Sequence, residues 1–305
     1  MSEFRQGDPH SGYYSDLTGE ARRFGREPRD VVATFPELIA SRVTVNPVSI
    51  VQLGLGAWQL QSREPGWREI VARAVDWVVQ TMDERGGLAY LFPMPHTYEL
   101  RPPWFSAMAQ AEAASLLVRA ARMLGDEELR AAAVRVAEPL LGPDLGLIAR
   151  TPDGPVLQEY PTTPPAHVLN GWITALWGLY DVWHRGEPVV LESDRFRQAF
   201  LSGVDALLAR LPLYYFGRRW SRYDLFPHPL PNVASPFYHR LHVEQLKALD
   251  LLAPNELLRR TADEWEAGLA RPLSLGTAVA CKVAFRVTRP RSRRIPAPWN
   301  IRRLS

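Results

Sequence analysis

The pattern of apolar and polar positions is helical over most of this chain. Val48 to Leu60 is apolar almost all round, as a buried inner helix should be. Pro47 before it suits a first helical turn, where its missing N–H is not needed. From Trp67 to Met82, Ile70, Val71, Ala74, Trp77 and Val78 recur at helical spacing with charges opposite. Gly86 to Pro93 reads as a turn and a short extended segment. The same order returns with helices over Phe105–Leu124 and Glu127–Leu141, then a hairpin over Gly146–Gln158 turning at Pro152-Asp153-Gly154. A third cycle predicts helices over His167–Trp183 and Arg195–Leu211, then extended chain over Tyr214–Leu225 turning at Gly217. A fourth offers His239–Leu252 and Asn255–Leu269.

Helix–helix–hairpin cycles of about 60–70 residues form a structural repeat without a sequence repeat. They predict a mainly α fold, an α/α toroid (an incomplete (α/α)6-type barrel) with short β-hairpins at one mouth. Each passage from a hairpin into an inner helix then falls at the same end of the ring. Trp104-Phe105, the segment Glu159–Pro165 and the stretch Tyr223–Tyr238 all lie at such passages, and they are rich in Tyr, Trp, His, Pro and carboxylate. Three regions are expected: an irregular polar arm over residues 1–45 that wraps the domain, the toroid over 46–270, and a basic tail over 271–305.

Composition adds several points. A chain that is 46% hydrophobic and 23% charged is an ordinary globular protein, neither disordered nor fibrous. Cys281 is the only cysteine, which excludes an internal disulfide framework. The first residues lack a secretory apolar run, and no uncharged stretch approaches the roughly 20 residues of a bilayer span. The expected compartment is the cytoplasm, and the wealth of Arg, Ala, Leu and Pro suits a bacterium with a GC-rich genome. A net charge of +3 hides an asymmetry: no Asp or Glu follows Glu266, while Arg271, Lys282, Arg286, Arg289, Arg291, Arg293, Arg294, Arg302 and Arg303 do. Mixed with Leu273, Leu275, Val279, Val283, Phe285 and Val287, these cations make either an amphipathic surface for the inner face of an anionic membrane, a surface for an anionic polysaccharide, or a solvated tail. No motif supports nucleic-acid binding. A homodimer is compatible with the chain.

At the junctions the sequence resembles a known family. Glu159-Tyr160-Pro161-Thr162-Thr163-Pro164, then Val168-Leu169-Asn170-Gly171 and Gly178-Leu179-Tyr180-Asp181, closely resembles the C-terminal domain of heparosan/heparan sulfate D-glucuronyl C5-epimerases, in its bacterial-type short form. Trp104-Phe105-Ser106-Ala107-Met108-Ala109-Gln110 with Arg119-Ala120 is similar to that family's W-x-SAMAQG stretch. Tyr223-Asp224-Leu225 and Tyr238-His239 with His242 and Gln245-Leu246 continue the likeness in order, and Asn46–Leu55 fits its beginning. The resemblance covers about residues 40 to 270. Two departures bear on substrate. The animal enzymes carry β-rich domains before this toroid, and with about 45 residues ahead of it here none is expected. The family's Tyr-Asp-Leu-Arg reads Tyr223-Asp224-Leu225-Phe226, so the Arg that suits a substrate carboxylate is replaced, with Arg222, Arg240, Arg218 or Arg219 as candidates in its stead. The Gly expected after Gln110 is Ala111.

The resemblance implies an isomerase that converts D-glucuronate to L-iduronate residues in a polysaccharide or lipid-linked oligosaccharide, without a cofactor. Removing the C5 hydrogen beside an ionised carboxylate requires that charge to be neutralised, and a base and an acid on opposite faces of the ring. By resemblance Glu159 and Tyr238 are the opposed acid/base pair, with Tyr160 and Tyr223 lining the site. Trp104, Gln110, Asn170, Arg222, His239, Arg240 and His242 are the candidate substrate contacts, Trp104 being either a sugar platform or a core residue. His239 and His242 lie three residues apart on one helix face, a metal-like spacing with no third ligand evident, so no metal is expected. The alternatives are a uronate lyase, in which the same carbanion expels the C4 substituent, and a glycoside hydrolase, for which Asp224 is the second carboxylate in view. A noncatalytic glycan-binding protein would keep the aromatics without needing Glu159 or Tyr238.

Overall fold

The computed structural model describes residues 12–40, 45–93, 97–185 and 190–290. Two helices precede the toroid, α1 (Thr18–Arg22) and α2 (Pro28–Ile39). Four helix pairs follow among the described residues: α3 (Pro47–Leu60) with α4 (Trp67–Thr81), α5 (Ala107–Leu124) with α6 (Glu128–Ala137), α7 (Leu169–Arg185) with α8 (Val190–Arg210), and α9 (Pro236–Leu252) with α10 (Glu256–Leu269). A last helix, α11 (Pro272–Thr288), lies against α9 and α10. Within each pair the two helices pack together, and the first members pack in series, α3 on α5, α5 on α7, α7 on α9. This is an arc of an α/α toroid with α3, α5, α7 and α9 inside. The antiparallel hairpins are short: β1 (Ile148–Thr151) with β2 (Gly154–Leu157), and β3 (Tyr215–Phe216) with β4 (Trp220–Ser221). Gly154 and Gly217 turn them at positive φ, which a side chain would resist.

Local chemistry accounts for where the inner helices begin. Asn46, Ser106 and Ser235 cap α3, α5 and α9, each side chain accepting a backbone N–H from the first turn. Small residues let the helices approach: a Cβ on Gly178 would lie 2.5 Å from Ala111 Cα, so α5 and α7 cross almost backbone to backbone. Ala111 therefore sits in a helix crossing.

Two expectations change. Residues 12–40, within the region read as an irregular arm, contain α1 and α2 and bury Tyr13 and Tyr14. Their stretch is polar overall, but a few well-placed apolar side chains suffice for docking. Residues 272–288, read as tail, are helix α11, anchored by buried Ala278 and Phe285. The five arginines from Arg291 to Arg303 lie outside the described residues, as do Met1 to Asp8.

Tyr13 and Tyr14 meet the toroid at the C-terminal ends of its inner helices. Arg119, late in α5, bonds Asp181, late in α7, at 2.5 Å, and Tyr14 donates its hydroxyl to the same carboxylate at 2.6 Å. The guanidinium also lies over the rings of Tyr13, Tyr14 and Trp58, the last near the end of α3. The N-terminal segment thus plugs one end of the funnel. The mouth is the other end.

Candidate active site

The segments entering the inner helices are stitched together at that mouth. Ala107 N–H donates to Gln158 O, Leu169 N–H to Tyr223 O, Leu225 N–H to Ala166 O and Tyr223 N–H to Asn232 O. The N-termini of α5, α7 and α9 therefore face one region, and their dipoles favour negative charge there.

Glu159 stands at the start of α7. Its carboxylate accepts from Asn170 Nδ2 at 3.1 Å, from the Tyr160 hydroxyl and from the Gly171 N–H. A Cβ on Gly171 would fall 2.4 Å from Glu159 Oε2, so the glycine is what lets this carboxylate lie on the helix end. Burial raises its pKa against these hydrogen bonds and wins, leaving it at about 7. A carboxyl balanced there can lose or gain a proton at neutral pH, as general catalysis requires.

Three phenols surround it. Tyr160 is buried, and its hydroxyl stays protonated because of that burial and the neighbouring Glu159 and Tyr238. Tyr223 is held neutral in the same way, by burial first, then by Glu159, Tyr160 and Tyr238. Tyr238, in the first turn of α9, is half-buried and meets Tyr223 edge-on at 4.8 Å between ring centres. The helix starts at Pro236, earlier than the apolar rhythm suggests, because Pro at N1 and the Ser235 cap extend it back. The structure thus brings together Glu159, Tyr160, Tyr223 and Tyr238 from segments far apart in sequence.

The other candidate contacts divide. Asn170 serves Glu159, and its own carbonyl accepts from Gln245 Nε2 at 3.0 Å. Gln110 does not reach the mouth: its amide bonds Leu88 N–H, Gly86 O and Val136 O and is fully buried. Trp104 is a core residue, stacked on Tyr90 at 3.8 Å with its indole N–H on Phe92 O. His239 and His242 are buried against Ser221, both Nδ1 atoms 2.8 Å from its hydroxyl, and His239 Nε2 lies 3.0 Å from Trp265 O. Burial lowers both imidazole pKa values, that of His239 to about 4, so they are neutral braces between β4, α9 and α10 and not substrate contacts. Arg240 is exposed on α9, and Arg222 is half-buried beside Tyr214 with its backbone bridged to Val233. Among the described residues no three His, Cys, Asp or Glu side chains gather as a metal site.

Several residues at the mouth are not among the candidate contacts. Tyr98 donates to Asp224, which Asn232 Nδ2 also bonds. Tyr98 packs against Tyr160 at 5.4 Å and Phe226 at 5.5 Å. His228 lies 3.5 Å from Asp224 and meets Phe285 of α11 edge-on. Lys282 of α11 donates to Asn232 Oδ1 at 2.7 Å, with its ammonium 5.5 Å from the Tyr223 ring centre. Only the final arrangement shows that α11 supplies a cation here. Asp224, fully buried in this network, is not poised as a second hydrolytic carboxylate.

Deeper in the funnel, Glu112 of α5 is buried with one oxygen accepting from Gln52 Nε2 at 3.1 Å and the other without a hydrogen-bond partner among the described residues. Burial, with Glu159 adding to it, lifts its pKa to about 8. Between pH 5 and 7 the unfolded chain releases this proton while the folded chain keeps it, so stability falls as pH rises. One such group costs roughly 2–3 kcal/mol across that window. Urea midpoints of Glu112→Gln should therefore fall less steeply from pH 5 to 7 than those of the wild type; parallel curves would show that Glu112 is ionised throughout.

Comparison with known proteins gives the family. The family profile described as D-glucuronyl C5-epimerase C-terminus matches residues 82–267, and the chain belongs to that family. The D-glucuronyl C5-epimerase of Caenorhabditis elegans is 34% identical over 210 residues, which cover 63% of this chain and 33% of that protein. The chain thus spans about a third of the length of that curated relative. Among solved structures, the unsaturated glucuronyl hydrolase of Bacillus sp. GL1 aligns over 91% of this chain and 78% of its own with a TM-score of 0.46 and 15% identity.

Proposed function

We propose that this protein is a C5-epimerase of glucuronate residues in a glycan, with Glu159 as the base and Tyr238 as the acid of the D-glucuronate to L-iduronate direction. The observation that carries the reading is a buried carboxyl of near-neutral pKa ringed by three tyrosines, two of them held neutral, at the mouth of the toroid. Family membership supports the chemistry.

At neutral pH Glu159 is the member of the cluster that ionises readily, so it takes the C5 proton. The C5–H bond breaks, and its electron pair spreads into the adjacent carboxylate as an enolate. The Tyr238 hydroxyl then delivers a proton to the opposite face, forming the new C5–H bond with inverted configuration. Solvent returns Glu159 and Tyr238 to their starting protonation states. The enolate carries more negative charge than the substrate, so groups aimed at it lower the barrier. Neutral Tyr160 and Tyr223 are donors of the right kind, and the converging helix N-termini add positive potential. Lys282, beside Tyr223, is the cation we assign to the substrate carboxylate, where the Tyr223-Asp224-Leu225-Phe226 stretch provides none.

The test is incubation with a glucuronate polymer in D₂O. Deuterium at C5 with iduronate product is expected; an unsaturated, UV-absorbing product would instead mark a lyase, and chain cleavage without exchange a hydrolase. Because Glu159 alone serves one face, Tyr238→Phe should keep some C5–H exchange from that face while losing net epimerisation by about 100-fold or more. Full epimerisation by that variant would remove Tyr238 from the acid role.

A further inference from the structure

Helix α11 lies against the mouth with one face and shows the other to solvent. Its inner face is anchored by Ala278 and Phe285, by Lys282 on Asn232 and by Arg286 donating to Thr97 Oγ1 at 2.8 Å. Every exposed residue between Pro272 and Thr288 is uncharged. Among them Leu273, Val283 and Val287 are 88%, 58% and 77% exposed, and Gly276, Ala280 and Ala284 continue the same stripe at helical spacing. A bare aliphatic stripe on a surface helix marks a contact surface rather than ordinary solvated chain.

The charge around the stripe decides what meets it. Exposed Arg271 precedes the helix and exposed Arg289 follows it, and no Asp or Glu occurs in the sequence after Glu266. An apolar stripe bracketed by cations matches the interface of an anionic bilayer, where the aliphatic groups enter the acyl boundary and the arginines meet phosphates. A second copy of this chain fits poorly, since pairing α11 with α11 would bring Arg271 and Arg289 of both copies together without an acidic partner on either helix. No helix among the described residues is long and apolar enough to cross a membrane, so the contact would lie in the plane of the surface.

We infer that the outer face of α11 docks this protein on an anionic lipid surface, with the mouth beside the bilayer. The inference stands independently of the catalytic reading, because its readout is binding. In flotation of the full chain, phosphatidylcholine vesicles containing phosphatidylglycerol should carry the protein, vesicles of phosphatidylcholine alone should not, and added salt should weaken the association. The triple variant Leu273→Ser, Val283→Ser and Val287→Ser should lower the affinity by about tenfold or more at unchanged melting temperature, because these side chains support no core contact. Equal flotation of variant and wild type would overturn the proposal, since binding would then be electrostatic alone. Absence of flotation with anionic vesicles would overturn it as well. So would a wild-type dimer that the triple variant converts to monomer, which would assign the stripe to a second copy.

Discussion

Glu159→Gln is expected to lower kcat/KM for C5 epimerisation by about a thousandfold, within the range that a positioned acid–base group contributes. The substitution keeps the shape of the side chain and an oxygen that can accept from the donors around it. It removes the group that can take the proton. Since a buried carboxyl becomes a neutral amide, the fold should not suffer, and a melting temperature at or above the wild-type value is the expected control. The pH profile gives a second readout. A base must be ionised, so wild-type kcat/KM should climb as pH rises through about 7, the value that burial gives Glu159 against the bonds from Tyr160, Asn170 and Gly171. A profile that falls across that range would make Glu159 the acid of the measured direction and Tyr238 the base. Unimpaired exchange in the Gln variant would remove Glu159 from the chemistry altogether.

Arg119→Met should cost about 3–5 kcal/mol of stability, as expected when one member of a buried ion pair is removed and the other is left uncompensated. Both side chains are almost wholly buried, and the pair joins α5 and α7 to the N-terminal plug through Tyr14. Methionine fills similar space, so packing changes little and the loss reports the stranded Asp181. Urea denaturation measures it directly. Adding Asp181→Leu should recover much of the loss, because removing both charges removes the desolvation penalty, although Tyr14 then lacks its acceptor. An Arg119→Met variant as stable as wild type would show that Asp181 is not stranded in the fold.

These two predictions concern opposite ends of the same inner helices, and the sequence informs on them unequally. Arg119 and Asp181 stand out as members of matched motifs, but nothing local in either motif says that they meet each other or that Tyr14 joins them. Glu159 is legible both as part of a distinctive motif and by its place where a hairpin runs into an inner helix. Its near-neutral pKa is not, because burial depends on what covers it.

The same division holds across the chain. Helical periodicity, the turns at Gly154 and Gly217 and the caps at Asn46, Ser106 and Ser235 depend on residues within about one helical turn of one another, and so the sequence by itself determined the succession of helix pairs and hairpins. It also determined that Glu159, Tyr160, Tyr223 and Tyr238 enter at junctions sharing one end. The tertiary structure alone decided which polar side chains remain for chemistry. Gln110, His239 and His242 look like contacts in sequence, yet each is taken up by backbone or hydroxyl partners from distant elements. Lys282, read in sequence only as a cation of the tail, and Tyr98, which carries no motif, come to the mouth because α11 and the 97–100 segment fold back over it. A buried polar group must find a partner wherever the packing places one, and that choice is made across the whole fold rather than along the chain.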